Sequence, residues 1–199
     1  MKVVIEVLRD KKFYLGVGFF LCSLIATYLA NQFLDRYYPA PVRPGDLILD
    51  RVKEMKSFII LGEILVVSQI AALVVSAFKR KGKVAGRYFF AAGLLYFFRA
   101  FVMILNPLEE LHQTNGSHIP VISEMFYGGM FFSGHTAFVF LAYYLEKDKG
   151  LLKNLMLANA LTVVLCLILG NSHYSIDILG GYLVAFFLAR TEYWKYLKL

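Results

Sequence analysis

Two short strings in the last third of the chain carry side chains suited to moving protons and forming covalent bonds. They are Ser133-Gly134-His135-Thr136 and His173-Tyr174-Ser175-Ile176-Asp177, and each places a histidine where an apolar run meets polar residues. An imidazole titrates near neutrality, so it can act as general base, general acid or nucleophile. Asp177 follows His173 by four residues, on the same face of a helix, where a carboxylate can hold one imidazole tautomer. In the first string Ser133 suits a helix cap and Gly134 lets a ligand approach the backbone. The N–H groups and dipole of a helix starting there favour an anion. Taken singly, each string is as readily structural as functional. Asp177 tips the balance, because a carboxylate within a membrane helix costs about 2.5–3.5 kcal/mol on insertion scales and needs a partner, and His173 is the near one.

Arg99 invites the same argument. It lies inside an apolar segment, about 9 Å along the helical rise from that segment's end, and must pair with an anion or reach outward. Its planar fork suits a phosphate. A salt bridge to Asp177, Glu109, Glu110 or Glu124 is the competing role.

The elements that must position these groups are apolar. Of 199 residues 59% are hydrophobic, and the mean hydropathy is +0.61, above the range of soluble domains. Six segments approach the length a bilayer demands: Phe13 to Leu34, Phe58 to Phe78, Tyr88 to Leu105, Met130 to Leu145, Leu151 to Gly170, and about Tyr174 to Ala189. The expected fold is all-α, a polytopic bundle of six transmembrane helices forming a single domain over residues 1–199. The first segment exceeds the apolar core of a cleaved signal and reads as a retained anchor.

Basic residues cluster at alternate ends: Lys2 to Lys12, Lys79 to Arg87, Lys147 to Lys153 and Arg190 to Lys198. Such residues concentrate in cytoplasmic loops, which predicts both termini inside. Both motif histidines then fall on the extracytoplasmic or lumenal side. The net charge of +7 is accounted for by these membrane flanks, which argues against a nucleic-acid partner. Cys22 and Cys166 lie in apolar runs and behave as small hydrophobes. His112 and His118 sit in a polar loop and are set aside. No His-x-x-His or His-x-x-x-His spacing exists, so neither a metal nor another cofactor is expected.

Polar stretches Asp35 to Ser57 and Asn106 to Gly129 should roof the site. The first contains a stiff Pro/Gly-rich turn, Tyr37 to Asp46, suited to a plug or a substrate lip. Gly180-Gly181 is expected to serve helix packing. Glu63 receives no role.

These residues resemble the sphingomyelin synthase family, a branch of the type 2 phosphatidic acid phosphatase superfamily. The family's Ser-Gly-His-Thr is matched by residues 133–136, and its His-Tyr-Thr-x-Asp is similar to residues 173–177. Tyr96-Phe97-Phe98-Arg99 followed by Pro107, and the Pro-rich stretch Pro41 to Asp46, resemble two further family segments. Departures are Tyr127-Gly128-Gly129 where members often have Cys-Gly-Asp, and Phe132 and Leu167 where the wider superfamily has Pro and Arg. An Arg-x6-Arg-Pro at Arg36 to Pro44 precedes the second segment, the wrong place for the superfamily's first motif.

The resemblance implies metal-independent exchange of a phospho-head group, of phosphocholine or phosphoethanolamine type, from a phospholipid donor to a ceramide or diacylglycerol-like alcohol. It makes His173 the nucleophile, Asp177 its orienting carboxylate and His135 the acid and base for the two alcohols. Arg99, Ser133 and Gly134 would bind the phosphate. A lipid phosphate phosphatase or phospholipase C-type hydrolase, and a non-enzymatic transporter or scaffold, are the alternatives. Donor, acceptor, membrane and oligomeric state are not encoded legibly.

Overall fold

A computed structural model describes Val7 and residues 10–38, 44–79, 85–106 and 131–191. Among the described residues there are six α-helices, one 3-10 turn and no strand. The helices are α1 (Lys11–Tyr37), α2 (Lys56–Lys79), α3 (Ala85–Leu105), α4 (Gly134–Leu145), α5 (Leu151–Leu169) and α6 (Ser175–Arg190); the turn is Leu49–Arg51.

Asp10 starts α1 by accepting a hydrogen bond from the Lys12 N–H at 2.9 Å. The helix then packs along α3, with Phe19 stacked on Phe90 and Phe97 at centroid distances of 4.5 and 5.4 Å. A second association joins α2 to α5 through amides within the apolar layer. Asn159 Nδ2 donates to Gln69 Oε1 at 2.6 Å and to the Leu65 carbonyl at 2.9 Å, while Gln69 Nε2 donates to the Val139 carbonyl of α4 at 3.1 Å. Where water is scarce such bonds fix helix register, because the alternative is an unmet polar group.

At the centre α4 packs against α6 and α5. Ala137, Val139, Phe140, Leu141, Val163, Ile178 and Ala185 are buried there. Phe140 and Tyr182 meet edge to face at 5.0 Å. By contrast, Leu15, Leu21 and Ile25 of α1, Ile64 and Val67 of α2, and Leu161 and Leu165 of α5 are exposed apolar side chains. That inversion of the usual pattern suits lipid as the solvent.

Four helices, α1, α2, α3 and α5, are long and apolar enough to cross a bilayer, which makes this an all-helical integral membrane protein. Of the other two, α6 has the length the sequence predicted and α4 is shorter than predicted. The segment expected from Met130 begins as helix only at Gly134, and α4 has 12 residues and α6 has 16. Their lengths come to about 18 and 24 Å, against a hydrocarbon core of about 30 Å. α4 begins late because a polar cap sets its start at Ser133, whereas α6 begins where predicted, directly after Tyr174.

Candidate active site

The turn between α5 and α6 is built by local rules. Ser172 N–H donates to the Leu167 carbonyl at 2.9 Å and Asn171 N–H to the Ile168 carbonyl at 3.1 Å. This is the Schellman pairing, and it requires a left-handed residue after the helix; Asn171 supplies it with φ 51°. The chain reverses within a few residues and delivers His173 to the start of α6.

There the backbone N–H of Tyr174 donates to Asp177 Oδ2 at 3.2 Å, the reach-back bond of a capping box. His173 Nδ1 stands 3.8 Å from the same oxygen. That is ion-pair distance and longer than a hydrogen bond. Among the described residues neither His173 Nδ1 nor Asp177 Oδ1 has a hydrogen-bond partner. Asp177 is 0% and His173 6% exposed. Burial, reinforced by the Arg99 guanidinium, pushes the His173 pKa down to about 3, so the imidazole is neutral at pH 7.

The first string folds as its residue types predict. Ser133 caps α4, its hydroxyl accepting from the Thr136 N–H at 3.3 Å. That residue is buried, and its hydroxyl keeps its own proton to donate. Gly134 and His135 follow as the first two helical residues, whose amides have no intrahelical acceptor. Ser133 N–H donates to the Asp177 carbonyl at 3.0 Å, which ties the two strings together.

Close approach of α6 to α4 depends on Gly181. A Cβ there would stand 2.6 Å from the Ser133 carbonyl oxygen and 3.1 Å from the Ala137 nitrogen. The glycine pair is thus packing, and the packing assembles the site. As a result the rings of His135 and His173 meet edge to face, with centroids 5.7 Å apart. His135 is the exposed member of the pair.

Arg99 of α3 completes the group. It is 4% exposed, and its Nε donates to the Phe132 carbonyl at 3.3 Å. A Cβ on Gly134 would lie 3.3 Å from Arg99 Nε and 3.9 Å from Cζ, so the guanidinium lies across the start of α4. Its charge acts on both imidazoles and on Asp177. Two imidazoles, a carboxylate, a guanidinium and a helix N-terminus therefore share one place, and this combination can hold an anion while relaying a proton.

Among the described residues no three His, Cys, Asp or Glu side chains are grouped as metal ligands would be. Glu63 is half-buried on α2. His112, His118, Glu109, Glu110, Glu124 and the Tyr127-Gly128-Gly129 departure lie outside the described residues. One residue escaped the sequence argument for the site: Asp46, whose carboxylate bonds to Ser175 at the head of α6. Its sequence signals were its place at the end of a Pro/Gly-rich turn and in the stretch Pro41 to Asp46 that resembles a family segment.

Residues 128–195 match the family model described as PAP2 superfamily C-terminal. The matched segment contains both histidines and Asp177, but not Arg99. The match supports the type 2 phosphatidic acid phosphatase superfamily, a class of membrane lipid phosphatases and phosphotransferases. No curated protein matches the chain.

Proposed function

We propose that this membrane protein is a lipid phosphotransferase, moving a phospho-head group from a phospholipid to a ceramide or diacylglycerol-like alcohol. The observation that carries the reading is the 5.7 Å approach of His135 to His173 beside Arg99. His173 Nδ1 faces Asp177, which leaves Nε2 as the attacking nitrogen. Nε2 forms a bond to phosphorus as the bond from phosphorus to the donor's glycerol oxygen breaks. His135 takes up a proton from water and gives it to that oxygen. Neutral His135 then takes the hydroxyl proton of the acceptor, whose oxygen displaces His173 from phosphorus. Arg99 and the Gly134 and His135 amides hold the non-bridging oxygens, where charge builds in the transition state.

In this reading both termini are cytoplasmic, the site opens on the extracytoplasmic or lumenal side, and residues 1–199 work as one domain. The distribution of basic residues supports that orientation. Asp177 favours the nucleophilic role for His173, and no metal ion enters the steps.

The test is purified protein in mixed micelles with head-group-labelled phospholipid and excess acceptor, with products weighed by mass spectrometry. Label on the acceptor lipid is the expected result. Label recovered only as free phosphate or phosphoalcohol would replace the transferase with a hydrolase using the same residues. No turnover with any lipid, and no change on replacing His173, would leave a transporter or scaffold.

A further inference from the structure

Asp46 lies between α1 and α2, remote in sequence from both histidines, yet its carboxylate reaches the head of α6. Oδ2 accepts from the Ser175 N–H at 2.6 Å and from the Ser175 hydroxyl at 2.7 Å. The other oxygen, Oδ1, accepts from the Ile48 and Leu49 N–H groups at 2.9 and 3.1 Å. Asp46's own N–H donates to Asp50 Oδ2 at 3.0 Å. One buried carboxylate thus folds its own segment and fastens it elsewhere.

The far end of the segment is fastened too. Met55 N–H donates to the Leu169 carbonyl at 3.0 Å. Leu169 ends α5 and Ser175 begins α6, so the two attachments bracket residues 170–174, and His173 lies between them. Burial alone would raise the Asp46 pKa, but the bonds from Ser175, Leu49 and Ile48 outweigh it and hold the group below the ordinary carboxylate value. Asp46 is therefore ionised at neutral pH, a fixed negative charge at a helix N-terminus.

We propose that Asp46 is a positioning residue: residues 46–55 form a strap that clamps both ends of the turn carrying His173 and so holds that imidazole against His135. The proposal rests on the phosphotransfer reading of the site. It gives Asp46 and the segment after it a definite task, since substrate would meet a rim whose geometry is set by the strap.

The experiment uses the full chain in lipid nanodiscs, with Asp46→Asn, Asp46→Glu and Ser175→Ala. Two readouts are taken: kcat and KM with a phospholipid donor, and the rate at which diethyl pyrocarbonate modifies His173, followed by mass spectrometry. Asp46→Asn is expected to lower kcat about 10- to 100-fold, the usual cost of losing a group that orients a reactive one, with KM altered far less. His173 should be modified severalfold faster. Asp46→Glu should recover part of the loss, and Ser175→Ala, which keeps its N–H, should lose less than Asp46→Asn. If Asp46→Asn does not fold, Ser175→Ala carries the same comparison. Unchanged kcat and unchanged His173 modification in folded variants would overturn the strap, as would a loss explained wholly by the fraction unfolded. Should the wild type turn over no lipid, the phosphotransfer reading falls while the modification rates still decide the strap: faster modification upholds it and an unchanged rate overturns it.

Discussion

Gly181 of α6 lies so close under the Ser133 carbonyl that a Cβ would intrude to 2.6 Å. Backbone meets backbone at the point where the cap of the histidine-bearing helix α4 is made. Gly181→Ala should push the helices apart, costing about 1–3 kcal/mol as overpacking does. Thermal unfolding in detergent measures that cost. Turnover should fall further than the loss of folded protein explains, because the two imidazoles separate.

Replacing the acid–base group tests the assigned roles directly. His135→Ala should lower turnover by about 10²–10⁴-fold, the contribution of a positioned proton donor and acceptor. His173→Ala should abolish transfer, and Asp177→Asn should depress it with the fold retained. Equal turnover in His173→Ala would eliminate the covalent route.

Arg99→Lys separates charge from shape. Lysine keeps the positive charge but loses the planar fork and its bond to the Phe132 carbonyl. A loss of about 10²–10³-fold in kcat is expected, as for removal of one transition-state donor. Arg99→Lys kinetics equal to wild type would confine the arginine to a structural role.

The pH dependence has a definite sign. His173 binds its proton near pH 3 in the folded protein and near 6.5 when exposed in the unfolded chain. Between those values the unfolded state holds more protons, so stability falls as pH drops from 6.5 toward 3. Thermal midpoints should decline over that range, and less steeply in His173→Gln. The nucleophile itself stays unprotonated at pH 5, so the acid limb of kcat/KM assigned to His173 should lie below pH 5. An acid limb centred at 6.5 that vanishes in His173→Gln would show an ordinary, solvated imidazole.

Asn171 holds a left-handed backbone conformation that few side chains adopt. At φ 51° glycine fits without strain, whereas a β-branched side chain clashes. Asn171→Gly should leave the melting temperature nearly unchanged, and Asn171→Val should cost about 1–3 kcal/mol. Melting curves for the pair check the turn that delivers His173.

Much of this protein is written locally and reads directly from the residues. Apolar runs define the helices because a bilayer forces each backbone to satisfy itself, and four of the predicted segments correspond to helices long enough to cross. Ser133 as a cap and Gly180-Gly181 as packing follow from side-chain size and hydrogen-bonding capacity, properties each residue carries alone. The start of α4 was less legible, since hydrophobicity does not mark where a cap begins a helix. Only the tertiary structure set the 5.7 Å approach of His135 to His173, the lie of Arg99 across Gly134, and the reach of Asp46 to Ser175. Those contacts join segments distant in the chain, and their distances depend on how closely helices pack, which no short window of sequence encodes. Sequence supplied the reactive groups and the solvent they face; packing decided which of them meet.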